Sequence, residues 1–530
     1  MKRLQHSLRG SAAAFAAIGA AHAADLPDKT AAPIAYVRVC SAFGAGFFYI
    51  PGTDTCLRIS GRARFEGGYI TAYTRQAGTN SGDTSGYRGL LRFNLDARTQ
   101  TAYGTLRAFV RLDAGSRAGA SGVGRSGTQE RIGLAYAATG VDQVARVQQV
   151  VNVDKAFIQF AGLTAGRASS FFDFYAHDFE MSGSTAGSDV GSTNLLAYTA
   201  TFGNGLSATL SIEDPVFRRT PIFAPSGGAA PVSPVFVGYT RGAPSSFANI
   251  DSIQRERLPD FVGALRLDQA WGSAQVSAAT HELNVGTIAI GTGSTVSVAH
   301  TNSVQGWAVQ GGLKINAPFV TPGDALYLQG AYGDGAQFYT GYSAFSGSAS
   351  PNAATIQGQK FNQYFSDATI NPFTGQLQTS QSVTAVASYL HYWSPDWRSA
   401  VFGSYGAQSF SRSARLAQGA AYGLVGSGVI TGSNAVGVPG TRFYQLSQAL
   451  RDTYEFVTGA SLIWSPVKDL DIGVEGYYTQ IGLNRGRAID QDKSPTAYAN
   501  VAAINAGSFV PRTATQDSVS QIRLRVQRDF

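Results

Sequence analysis

From Leu57 onward the chain repeats one pattern: short segments in which every second residue is polar and the residues between them are apolar. In 57–73, Arg62, Arg64 and Glu66 fall on one face, opposite Ala63, Phe65 and Gly67. In 87–97, Arg88, Arg92, Asn94 and Asp96 oppose Leu91, Phe93 and Leu95; in 106–113, Arg107, Arg111 and Asp113 oppose Leu106, Ala108, Val110 and Leu112. A period of two predicts strands with one wet and one apolar face. The scheme returns with fewer charges in 155–162, 206–213, 261–268, 307–316, 325–333, 454–464 and 470–480. Segments 382–393 and 397–406 read as strands whose faces the alternation does not assign. The last segment sets Ile522, Leu524, Val526 and Phe530 against Gln521, Arg523, Arg525 and Gln527, with Arg528 interrupting the apolar row.

The connections alternate in length. Tight turns fall near 98–101, 203–205, 271–272, 394–396 and 466–469. Long Gly/Ser-rich loops fall near 113–149, 170–192, 215–258, 283–304, 335–381, 411–453 and 483–515, with a short helix expected near 351–367. Short turns at one end and long loops at the other are the layout of an outer-membrane barrel. Read alternately up and down, the chain predicts an all-β fold: a 16-stranded antiparallel transmembrane β-barrel. Each strand is then near the about 9–11 residues that a tilted span needs. No repeat of fixed period points to a propeller or a β-helix.

Composition fits this picture. Only 14% of residues are charged, and mean hydropathy is −0.05, whereas ordinary soluble domains carry about 25% charged residues. Lys2, Arg3 and Arg9, an apolar run at 12–20 and Ala21-His22-Ala23 predict an export signal over 1–23, with a single barrel domain over 24–530. That apolar run is too short to span, and no later stretch has about 18 consecutive apolar residues, which excludes a spanning helix. Loss of Lys2, Arg3 and Arg9 lowers the formal charge from +7 to +4. Without basic clusters this predicts no nucleic-acid partner. Cys40 and Cys56, in an exported chain with no histidine nearby, predict a disulfide within the 39–57 segment. The remaining histidines (His177, His281, His300, His391) show no ligand spacing, and no catalytic motif occurs. No enzyme, metal or cofactor is expected; the one enzymatic alternative is an esterase whose Ser and His lie far apart in sequence.

Three pieces carry a resemblance: VCSAFGAGFFYIPGTDTCLRISG (39–61), KAFIQFAGLTAGRASSFFDF (155–174) and the final strand ending in Phe530. They resemble the general porins of alphaproteobacteria. The resemblance implies a homotrimer in the outer membrane of a Gram-negative cell, in contact with outer-membrane lipid. It also implies passive diffusion of small hydrophilic solutes and ions, and a third long loop, 170–192, folded into the lumen as a constriction. A terminal aromatic on an amphipathic strand resembles the outer-membrane assembly signal, which gives Phe530 that role.

Alternation puts Arg62, Arg64, Arg92, Arg107 and Arg111 on the lumen face, where a basic wall would oppose Asp173, Asp178, Glu180 and Asp189 of the inserted loop. On the lipid face a charged side chain costs about 2–4 kcal/mol at the midplane, and the guanidinium keeps its charge beside other arginines. The expected result is a transverse field that favours dipolar solutes. The alternatives are a soluble β-protein with a solvated Arg face, acids on an external loop, and Phe171, Phe172, Phe174 and Tyr175 in an interface girdle. At the level of function they are a sugar- or anion-selective porin and a secreted β-rich adhesin.

Overall fold

The computed structural model describes residues 38–70, 85–119, 148–189, 192–220, 222–224, 250–252, 256–285, 289–290, 297–298, 302–342, 360–361, 365–370, 376–415, 440–448, 450–490 and 493–530. Its main sheet has 17 strands, one of them the two-residue Phe48–Tyr49 segment beside the first long strand. The other 16 close into a barrel in which every neighbour pair is antiparallel. In chain order they are β1 (Cys56–Ile70), β2 (Ser85–Thr101), β3 (Gly104–Gly119), β4 (Gln148–Phe160), β5 (Leu163–Ala168), β6 (Thr193–Gly203), β7 (Leu206–Glu213) and β8 (Asp260–Gln269). There follow β9 (Gly272–Val285), β10 (Asn302–Asn316), β11 (Ala325–Asp334), β12 (Gln381–Tyr392), β13 (Trp397–Ser409), β14 (Thr453–Val467), β15 (Leu470–Leu483) and β16 (Gln516–Asp529).

The period-two faces divide as the side chains require. Leu91, Ile158, Leu210, Ile212, Ile522 and Leu524 point outward and are exposed, while Asp96, Thr209, Ser211, Gln521 and Arg523 are buried inside. On β12 the inner row is Ser382, Thr384, Val386 and Ser388, with Val383 exposed outside. Hydroxyls replace charges there and valine occupies both faces, which is why alternation left this strand unassigned. β3 and β4 run further toward the loops than their charge pattern indicates. Val151 and Val153 face outward on the added part of β4, so 113–119 and 148–153 are strand rather than loop. The helix expected near 351–367 lies largely outside the described residues, as does the export signal; a buried four-residue helix occurs instead at Gln337–Thr340.

Tryptophan marks the short-turn end. Trp271, Trp393, Trp397 and Trp464 lie there on the outer surface, with the Trp397 and Trp464 rings stacked at 5.8 Å. Trp307 sits toward the long-loop end against Tyr332. Indoles gather at membrane–water boundaries because the ring is apolar and the N–H wet.

The barrel closes where β16 meets β1. Arg62 faces Asp529, Arg64 faces Gln527 and Glu66 faces Arg525 across the seam, and the Phe530 and Gly61 backbones exchange hydrogen bonds of 2.8 and 3.0 Å. A Cβ on Gly61 would lie 2.5 Å from the Phe530 ring and 2.6 Å from the Arg92 carbonyl, so only glycine admits this close approach. Cys40 and Cys56 are joined in a disulfide that fastens the N-terminal segment below β1, where Phe47 packs against it and the Arg98 guanidinium lies over the Phe47 ring at 4.9 Å. Cys40→Ser with Cys56→Ser is expected to release this segment and lower stability by about 3 kcal/mol, the chain-entropy value for a loop of about 15 residues. Thermal unfolding in detergent reads the change; an unshifted transition would contradict it.

Candidate functional site

The wall of β1–β4 and β16 carries cross-strand charge pairs. Arg62 binds Asp529 through two bonds (2.6 and 2.9 Å), and Arg92 binds Asp113 likewise (2.8 and 2.7 Å). Arg64 donates to Gln527 at 2.7 and 2.9 Å and lies 3.6 Å from Glu66, which Arg88 and Arg525 also contact. Antiparallel neighbours on one face stand close enough for such pairs, and planar guanidinium–carboxylate forks are the strongest of them.

A β-bulge shapes this wall. Arg111 pairs with Lys155 and Leu112 with Val153, so Asp154 is the extra residue. The bulge turns Asp154 and the following Lys155 both inward, where Arg111 lies 3.5 Å from Asp154 and Lys155 reaches the Ser169 hydroxyl. The signal is present in the sequence: outward Val151 and Val153 are odd-numbered, outward Ala156, Ile158 and Phe160 even-numbered, and the phase changes at Asp154.

The third long connection, residues 169–192 (L3), crosses the barrel interior. It begins under β9 and β10, where Gln275, Ser277 and Gln310 all donate to the Phe172 carbonyl. Tyr175 N–H donates to Gln329 of β11 (2.8 Å), and Ala186 N–H to Ser404 of β13 (2.8 Å). At the far side the Met181 and Ser182 N–H groups donate to the Glu475 carboxylate of β15 (2.6 and 2.9 Å), joined by the Ser182 hydroxyl, and Arg525 donates to the Met181 carbonyl. One loop can touch the inner faces of all these strands only from within the lumen. Phe174, Tyr175, Phe179 and Tyr327 form an aromatic cluster that seats it on the wall.

Between L3 and the wall lies a cavity of about 630 Å³. Arg62, Arg64, Arg92, Arg111, Lys155, Arg398 and Arg525 line it, and so do as many acids: Asp113, Asp154, Asp178, Glu180, Asp189, Asp471 and Asp529. Of the arginines expected from alternation, Arg107 stands apart: it is near the turn end, forked onto Asp96 (2.9 and 3.0 Å) and over the Phe109 ring. The loop acids divide. Asp178, which accepts from Tyr327, and Asp189, 3.9 Å from His177, border the cavity. Asp173 instead binds Arg218 at 2.7 Å behind the loop. Glu180 borders the cavity, but its carboxylate turns back into L3 and accepts from Tyr175, Ser184 and Thr185. Alternation had placed Asp113 and Arg525 on the inner face without giving them a role; Arg398, on β13, pairs with Asp471 at 2.6 Å.

Glu180 is thus the internal brace of L3. Burial would push its carboxyl up, but His177, through its charge and a hydrogen bond, and the Thr185 donors hold it below the ordinary 4.5. Burial and the neighbouring Glu180 charge keep the Tyr175 hydroxyl protonated and donating. A depressed folded pKa contributes stability that is complete above 4.5 and is lost as pH falls through a value below it. Channel current is therefore expected to stay quiet down to pH 4.5 and to become noisy only under stronger acid, with Glu180→Gln removing that transition. An acid transition that survives in Glu180→Gln would exclude this brace.

A family model described as a porin subfamily matches residues 26–507. Porin Omp2b of Brucella canis and Porin Omp2b of Brucella abortus are each 32% identical over 354 residues, 64% of this chain and 76% of theirs. Among solved structures, the outer membrane channel DcaP of Acinetobacter baumannii aligns over 91% of this chain and 99% of its own, at 13% identity and TM-score 0.49. The anion-selective porin from Comamonas acidovorans aligns over 90% and 100%, at 10% identity and TM-score 0.40. The family match across nearly the whole chain shows that this protein belongs to the porin subfamily and is a channel of the outer membrane.

Proposed function

We propose that the channel is a general diffusion pore whose narrowest passage is the cavity between L3 and the β1–β4/β16 wall, acting on solutes by size and electrostatics without chemistry on them. One observation carries the reading: basic and acidic groups line this passage in equal number, with Arg62 and Arg92 of the wall already paired to Asp529 and Asp113. A balanced lining gives weak ion preference and a locally strong field, which favours hydrated and dipolar solutes over apolar ones. The protein assembles as a homotrimer on this reading, as the family resemblance implies. Planar-bilayer recording tests it: purified protein is expected to give stepwise, ohmic conductance in triplets, near-unselective in KCl. Absence of steps would overturn the pore reading. Saturable block by a sugar or an organic anion would instead support a substrate-selective porin.

A further inference from the structure

L3 is gripped from its outer side as well as from the wall. The connection after β7 (214–259, L4) opens with the helical turn Pro215–Arg218, and Arg218 is fully buried. Its guanidinium donates to the Ser188 hydroxyl (2.6 Å) and to Asp173 (2.7 Å), so one side chain holds both ends of L3. It lies over the Tyr339 ring at 4.5 Å, and Tyr339 belongs to the connection after β11 (335–380, L6).

L6 itself turns inward. Its helix Gln337–Thr340 is buried throughout and is bound to the inner wall. Thr384 donates to the Thr340 carbonyl (2.6 Å), Ser382 shares a hydrogen bond with the Thr340 hydroxyl (2.8 Å), and Gln337 donates to Gln408 (2.7 Å). The helix ends at Gly341 in the left-handed region (φ 78°), where a side chain is disfavoured. The same glycine meets L3 backbone to backbone: a Cβ there would stand 2.1 Å from the Gly187 carbonyl carbon and 2.5 Å from its nitrogen. Asp367 ties the two outer loops together, accepting from Thr220 N–H of L4 and Gln337 N–H of L6, both at 2.7 Å.

We infer that L4 and L6 form a clamp that fixes where L3 lies across the lumen, with Gly341 and Arg218 as its positioning residues. Conductance and the voltage at which the pore closes are then set from the loop side, through contacts that never touch the permeating solute. The inference rests on L3 being the constriction.

Gly341→Ala presses directly on Gly187 and is expected to shift single-channel conductance outside the wild-type distribution and to raise current noise. Arg218→Gln is expected to lower the closing voltage, with Arg218→Lys restoring part of it by keeping the charge beside Asp173. Thr340→Val with Thr384→Val, close in size to the native residues, removes the hydroxyls that pin the L6 helix and is expected to add noise. Heat-modifiable migration on gels shows whether each barrel has folded. If wild-type protein gives no steps, the pore reading fails. If wild type conducts and the folded variants match it in conductance, noise and closing voltage, the clamp is wrong and the pore reading stands.

Discussion

Replacing Glu475 with leucine is expected to free the tip of L3 and convert a quiet channel into a wider, noisier one. Glu475 collects both backbone N–H groups and the hydroxyl at Met181–Ser182 on one fully buried carboxylate. Hydrogen bonds to a charged group contribute about 1.5–3 kcal/mol each, and donors left buried without an acceptor cost a comparable amount. The ties to Gln329 and Ser404 are single bonds to neutral groups away from the tip, and without Glu475 the Arg525 bond to the Met181 carbonyl is the charged contact left at the tip. Glu475→Gln keeps one acceptor oxygen and should fall between wild type and Glu475→Leu. Single-channel recording decides: a folded Glu475→Leu barrel with wild-type conductance and noise would mean the tip is held elsewhere.

Charge removal at the passage should move ion preference in a direction set by position. Asp178→Asn with Asp189→Asn leaves the basic groups in excess and should shift the reversal potential in a KCl gradient toward anions. Arg64→Ala should shift it toward cations, since its main partner, Gln527, is neutral and masks little of its charge. Arg107→Ala should do much less, because Arg107 is forked onto Asp96 near the turn end, away from the passage. All shifts should shrink in strong salt, as the screening length falls from about 10 Å at 0.1 M to about 3 Å at 1 M. Equal shifts from Arg64→Ala and Arg107→Ala would place the selective step outside this cavity.

Much of the barrel was legible because its two faces meet different solvents. Wherever arginine or aspartate alternates with leucine or phenylalanine, as in β1–β3, the pattern fixes strand, face and phase together. It fades on β12, where Ser382 and Thr384 face inward opposite Ala385 and Val383, because hydroxyls and small apolar side chains differ too little. The bulge at Asp154 was readable as a phase change, yet it shows only when both halves of β4 are counted as strand. What holds L3 is a different case. Glu475, Gln329 and Ser404 are ordinary inner-face residues until a backbone more than 100 residues distant arrives to use them. The L4–L6 grip is hidden for the same reason: it joins side-chain bonds from Arg218 and Asp367 to the backbone contact of Gly341 against Gly187, in loops without a periodic pattern.

The seam between β1 and β16 has a bearing on how the barrel is made. Correct closure sets Arg62 on Asp529 and Glu66 on Arg525. A slip of two residues in one direction would bring Arg64 opposite Arg525, setting like charges face to face, and in the other it would set Glu66 opposite the neutral Gln527 instead of Arg525. The charge pairs of the lumen lining thereby favour one register at the seam. Substitutions at Arg62, Arg64 or Glu66 chosen to retune permeation should therefore also reduce the yield of correctly closed channels, and this biogenesis defect would be measurable before any current is recorded.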